Sequence, residues 1–168
     1  DAITTVALQN RFDPVREYLD AVAADATLPS VDVSTIATDY LGTTDPDFDA
    51  YMQVFFISAV KRRYEAGSKC DTVVTLDGDG GIGKSEFWIA LASPDWHSSS
   101  DADSDKDFLL NLHRSWIYEQ AELDYLTSKR QVGQLKNLIT TRQDDLRVPY
   151  GRGTEKMLRK GVMVGTVN

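Results

Sequence analysis

The spacing of apolar residues changes period near Gly67, and the change divides the chain. Before it the period is helical. "FDPVREYLDAVAAD" offers Asp13 as an N-cap and Pro14 at the first helical position, with Val15, Tyr18, Leu19 and Val22 at helical spacing. "SVDVSTIATDYLG" predicts a second helix, with Ile36, Ala37, Tyr40 and Leu41 on one face and Gly42 placed to end it. A third starts at Asp45-Pro46 and ends near Gly67. Its residues Phe48, Tyr51, Met52, Phe55, Phe56, Ala59 and Val60 form a stripe expected to pack in a core rather than to hold a cofactor.

After Gly67 the pattern alternates. "DTVVTLDG" predicts a strand and "KSEFWIALAS" a helix, with a glycine-rich loop between them. "HSSSDADSDKD" predicts a polar loop, 108–112 a brief helix and "SWIYEQA" a second strand. "SKRQVGQLKNLI" predicts a helix with Val132, Leu135 and Ile139 inward, "LRVPYGRGTEKMLRKG" a hairpin, and "GVMVGTVN" a buried strand. Strands alternating with helices imply a three-layer α/β fold with a largely parallel sheet: an N-terminal helical segment over 1–67 and a core over 68–168.

Composition narrows the surroundings. With 168 residues, 42% of them hydrophobic, the chain can bury a core of its own. A net charge of -8 makes the surface as a whole repel nucleic acid and anionic membranes, so a phosphate-bearing partner must meet a local patch. The longest strongly apolar run, Val54 to Val60, is too short to span a bilayer, and no signal-peptide pattern opens the chain. The single Cys70 cannot form an internal disulfide, which favours a reducing compartment, with the cytoplasm as the expected location. Asp1 in place of Met, and an end directly after an apolar run, read as an excerpt of a longer protein.

Gly78-Asp79-Gly80-Gly81-Ile82-Gly83-Lys84-Ser85 fits G-x-x-x-x-G-K-[ST], with a strand before and a helix after it. Such a loop binds nucleotide because backbone N–H groups of a glycine-rich turn and a helix N-terminus converge on phosphate oxygens. Lys84 would reach the β- and γ-phosphates of ATP, and the Ser85 hydroxyl would ligate Mg²⁺. A phosphohydrolase also needs a carboxylate near the metal. "SWIYEQAELD" supplies Glu119, Glu122 and Asp124, of which Glu122, at the end of the apolar run, is the first choice, as both metal ligand and the catalytic carboxylate that acts as a base on water. Asp101, Asp103 and Asp105 begin a calcium-loop spacing, but Lys106 replaces the turn glycine and Leu112 the closing acid. His97 and His113 lack partners at ligand spacing, so packing or surface roles are expected of them.

The succession "FDPVREYLD", "YLG", "AVKRRYEAGSKCD", "LDGDGGIGKS", "SWIYEQAELD", "TTRQDDLRVPYGR" and "VMVGTVN" resembles the virulence-associated protein E family across nearly the whole chain. That family comprises P-loop ATPases of phages and mobile islands, related to superfamily 3 helicases within the AAA+ class. The resemblance implies that Gly78 to Ser85 is the Walker A loop, that Glu122 is the acidic Walker B position with Glu119 assisting, and that Asn168 is the sensor orienting water at the γ-phosphate. It further implies a sensor strand lying between the other two, a hexameric ring, and arginine fingers reaching a neighbour's ATP, with Arg142 and Arg147 as candidates. The chain stops short of the segment where further arginines and a lid belong, so this piece alone is expected to hydrolyse ATP poorly and to be mainly monomeric. A P-loop kinase-like transferase and a non-motor nucleotide-binding regulatory module are the competing functions; neither a lid nor an acceptor pocket for a kinase is visible in the sequence.

Within this acidic chain, Arg147 to Lys160 carries five basic residues against the single acid Glu155. Arg152, between two glycines at the expected hairpin tip, and Lys156 are therefore the candidate contacts to single-stranded DNA.

Overall fold

The computed structural model describes residues 12–99, 105–121, 129–146 and 153–168. The chain divides into two compact units, Asp1–Val31 and Asp32–Asn168. The described part of the first is helix α1 (Pro14–Ala24), where the Asp13 carboxylate accepts from the Arg16 N–H at 3.3 Å and Pro14 opens the helix. Proline costs nothing there, because that N–H would have no helical partner anyway.

The second unit runs α2 (Ile36–Leu41), α3 (Pro46–Tyr64), β1 (Val74–Asp77), α4 (Lys84–Ala92), a 3-10 turn (Pro94–Trp96) and β2 (His97–Ser99). It continues with α5 (Asp105–Arg114), β3 (Ile117–Gln120), α6 (Lys129–Thr140), β4 (Gln143–Leu146), β5 (Glu155–Leu158) and β6 (Val162–Val167). Four strands form a parallel sheet in the order β1-β6-β3-β2, and β4 and β5 pair as an antiparallel hairpin. The architecture is the predicted α/β fold with a parallel sheet, and β6 lies between β1 and β3 as the resemblance implies.

Three expectations about local structure are corrected. His97–Ser99, inside the expected polar loop, is a strand paired in parallel with β3. Its composition gave no strand signal; its place at the sheet's edge makes polar residues acceptable. The stripe on α3 is only partly core: Met52, Phe55 and Ala59 are buried, whereas Phe48, Tyr51 and Val60 are exposed. A helix packed on one side cannot bury so wide a band. Val132 is likewise exposed rather than inward.

Helix α3 joins the layers. Phe55 meets the buried Trp88 of α4 with ring centroids 5.3 Å apart, and the Trp116 indole N–H donates to the Ala59 carbonyl at 3.1 Å. On the other side of the sheet Tyr118 packs with Leu112, Met163 and Phe108. At the end of α3 two buried arginines fasten the segments that lead into the strands. Arg62 donates to the carbonyls of Ser68 (3.1 Å), Cys70 (3.4 Å) and Gly161 (3.0 Å), and Arg63 donates to Ser115 (3.0 Å). Burial pulls the Arg62 pKa below its ordinary value, and carbonyl oxygens supply the partners that a buried guanidinium requires. Gly161 is required here for close approach: a Cβ would lie 2.5 Å from the Ser115 carbonyl oxygen. Thus the amino ends of β1, β3 and β6 are clamped, leaving their carboxyl ends free for chemistry.

A second buried cluster fixes the hairpin. The Arg159 Nε and Nη2 donate to the two Asp144 oxygens at 2.6 and 2.7 Å, Nη1 donates to the Leu138 carbonyl, and His113 Nε2 lies 2.8 Å from Asp144 Oδ2. Burial pushes the Asp144 carboxyl up, but hydrogen bonds from Arg159 and His113, with their charges, outweigh it and hold the group well below the carboxylate range. No helix among the described residues is long and apolar enough to cross a membrane.

Candidate functional site

Strand β1 ends at Asp77, and the glycine loop turns the chain into α4 within a few residues. The turn demands left-handed backbone at Gly81 (φ 81°) and Gly83 (φ 92°), which side-chain-bearing residues adopt at a cost. Nothing stands within 4 Å of a Cβ built on Gly80, Gly81 or Gly83, so the inner surface of the loop is open backbone. Gly83 caps α4 without a side-chain hydrogen bond, so no side-chain oxygen competes for the first-turn N–H groups. The Lys84 ammonium is held inside the loop. It donates to the Gly78 carbonyl, to the Asp79 carbonyl at 2.9 Å and to Asn168 Oδ1 at 2.8 Å, which brings the ends of the core sequence together.

One turn inward lies a buried acid. Glu119, in the middle of β3, has a side chain 1% exposed. Its Oε1 accepts from the Ser85 hydroxyl at 2.6 Å and from the Thr166 hydroxyl at 2.9 Å; its Oε2 lies 3.1 Å from His97 Nε2. Four elements therefore meet at one carboxylate: α4 brings Ser85, β6 Thr166, β2 His97 and β3 the acid. Parallel register sets the heights, since Glu119 pairs with Ser99 on one side and Val164 on the other. Among the described residues its partners are two hydroxyls and an imidazole, so the carboxylate has compensated burial without a permanent cation bonded to it there. Such an arrangement is suited to a hard cation, with Ser85 and Glu119 the groups that would hold Mg²⁺.

Against the loop opens a cavity of about 720 Å³, lined by Tyr40, Phe48, Tyr51, Ile82 and Phe87 and by the length of β1. Two of the aromatic residues expected in the core, Phe48 and Tyr51, thus form a wall of the site. The Thr43 hydroxyl, also on the cavity, has no hydrogen-bond partner among the described residues.

The structure brings together Gly78 to Ser85, Asn168 and Glu119, the acid expected to assist, and adds Thr166 and His97. Glu122, the first-choice acid, lies outside the described residues, as do Arg147 and Arg152. Arg142 donates through Nε to the Gly67 carbonyl, at the turn before β1, and not to the loop after it. Lys156 is exposed on β5, across the ladder from Asp145. Arg159, one of the five basic residues in the expected DNA-facing segment, is turned inward onto Asp144, so the exposed positive charge of the hairpin is smaller than its sequence implies. A signal for Glu119 existed, an acid inside the apolar run "WIYEQ"; Thr166 and His97 had none.

The family model for the virulence-associated protein E-like domain matches residues 28–168. Among solved structures, the apo structure of the NrS-1 C-terminal region (305–718) is similar, with a TM-score of 0.55 and 18% sequence identity, over 84% of this chain and 35% of that one. At that identity the likeness is one of fold, and this chain spans about a third of the neighbour's length. No curated protein matches the chain.

Proposed function

This chain belongs to the virulence-associated protein E-like domain family, a helicase-related group, and we propose that its glycine-loop site binds Mg-ATP as the motor site of a phage or mobile-element DNA-replication helicase. The observation that carries the reading is the 2.6 Å hydrogen bond between Ser85 of the loop and the buried Glu119. A serine directly after the loop lysine, tied to a buried carboxylate on a neighbouring strand, is the pairing that metal-assisted phosphoryl transfer requires.

The loop N–H groups and the N-terminus of α4 bind phosphate oxygens. Lys84 exchanges its loop carbonyls for the β- and γ-phosphates, and Asn168, bonded to it, lies where it can orient water. Ser85 and Glu119 would hold Mg²⁺, which would supply positive charge to the same phosphates. Glu119 takes over the role first given to Glu122, accepting the proton of the attacking water. The aromatic cavity takes the base, stacking it on side chains whose area is already exposed. In the full-length cytoplasmic protein we read the site as part of a hexameric ring that moves along single-stranded DNA, with Arg152 and Lys156 at the hairpin as DNA contacts and Arg142 or Arg147 completing a neighbour's site.

Titration of wild type and Lys84→Ala with Mg-ATP tests the reading. Loss of the fixed cation should weaken binding by at least about tenfold with the unfolding midpoint unchanged. Equal affinity of the two would reject the site.

A further inference from the structure

Glu119 occupies a buried position with its two oxygens in different company. Oε1 takes two hydroxyl donors, Ser85 and Thr166, while Oε2 takes His97 Nε2. We propose that His97 is a positioning residue for the hydrolytic site: its Nε2–H holds Oε2 of Glu119 and so keeps Oε1 turned to Ser85. The inference rests on the nucleotide reading above and extends it to a residue on a strand that has no contact with the glycine loop in sequence or pattern.

An ionised carboxylate only accepts hydrogen bonds, so the nitrogen facing it must carry the proton, and the His97 tautomer follows from its neighbour. With both hydroxyls committed to Oε1, the imidazole is the donor to Oε2 that the described side chains supply. Removing it would leave half of a buried anion unpaired. The carboxylate is then free to rotate toward a new donor, which takes away the oriented acceptor that the attacking water needs. The main-chain pairing of His97 with Ile117 fixes the ring from β2, so the contact does not depend on a mobile side chain reaching across the site. The effect belongs to the chemical step, because His97 contributes nothing to the loop or to the cavity wall.

The test is a comparison of His97→Ala and His97→Gln with wild type in the full-length protein, reading Mg-ATP affinity, single-turnover hydrolysis and thermal unfolding. Loss of a group that orients a metal-site carboxylate should lower kcat of His97→Ala by about 10–100-fold and leave KM within about twofold. His97→Gln, whose amide N–H can reach the same oxygen, should recover much of the loss. If His97→Ala does not fold, His97→Gln against His97→Leu carries the same contrast. A rise in KM with kcat unchanged, turnover equal to wild type, or a folded glutamine variant as slow as the alanine variant would each overturn the assignment. The two readings fail differently: wild type that binds no Mg-ATP brings down the nucleotide site, whereas wild type that turns over ATP alongside an equally active His97→Ala brings down only His97.

Discussion

Among the described residues two carboxylates are buried beside a histidine, and their other partners separate them. Asp144 faces a guanidinium that bonds both its oxygens, while Glu119 faces two hydroxyls. Asp144 is therefore neutralised by a fixed cation and ties the hairpin to α5 and α6. Glu119 is hydrogen-bonded, and among the described residues no fixed cation bonds it, which would leave its charge available to a metal ion. The difference teaches that burial and a histidine neighbour do not mark a functional acid. What would mark it is the lack, among the described residues, of a permanent counter-charge at a place where a cation could arrive, here the carboxyl edge of a parallel sheet beside the glycine loop.

The largest expected effect lies on the structural side. Arg159→Ala removes one partner of a buried pair, and unfolding in urea should show a loss of about 3–5 kcal/mol. A loss below about 1 kcal/mol would mean that the Asp144 cluster is no more structural than a surface pair. On the other side, Glu119→Gln should keep Mg-ATP binding and stability while lowering hydrolysis at least about 100-fold, close to 3 kcal/mol of barrier. The same assay on Glu122→Gln sharpens the comparison, because normal hydrolysis there with loss at Glu119 assigns the acid, and the reverse result returns it to Glu122.

Acid should separate the clusters further. The Asp144 pKa is depressed in the folded state, so its contribution to stability is fully present above the unfolded carboxylate value near 4 and is lost as pH falls toward the folded value. Over that interval the protonation of Asp144 costs at most about 1.4 kcal/mol per pH unit. Asp49 adds to the same slope: the Thr38 hydroxyl and the backbone N–H groups of Thr38 and Ala37 depress its pKa. Unfolding midpoints measured from pH 7 to pH 2 should accordingly stay flat and then fall, with a shallower fall in Asp144→Asn. An acid limb of equal steepness in that variant would place the titrating groups elsewhere.

The smallest effect concerns the hairpin surface. Replacing Arg152 and Lys156 by Ala in the full-length protein should weaken single-strand binding and reduce its salt slope by about 1 per charge removed, with ATP affinity unchanged. Lys156 should contribute the lesser part, since Asp145 already stands across the ladder from it. A salt slope that does not move takes the DNA contact away from the hairpin.

The sequence by itself determined the elements whose signals are local. Asp13-Pro14 and Asp45-Pro46 start helices and Gly42 ends one because caps act within a turn, and the glycine loop was legible because its backbone angles and its lysine are written in consecutive residues. The strand "GVMVGTVN" was equally plain, being buried on both faces. Tertiary structure decided everything that depends on which strand lies beside which. His97–Ser99 has no strand pattern and pairs only because β3 offers it an edge; Glu119, not obviously favoured over its acidic neighbours in sequence, faces Ser85 because the parallel register sets it there. Arg159 counted as surface charge until the fold supplied Asp144, and Phe48 and Tyr51 counted as core until only one side of α3 found a partner. Local conformation follows from neighbours along the chain, whereas a carboxylate's role follows from the charges and donors around it in space, and the fold alone sets those.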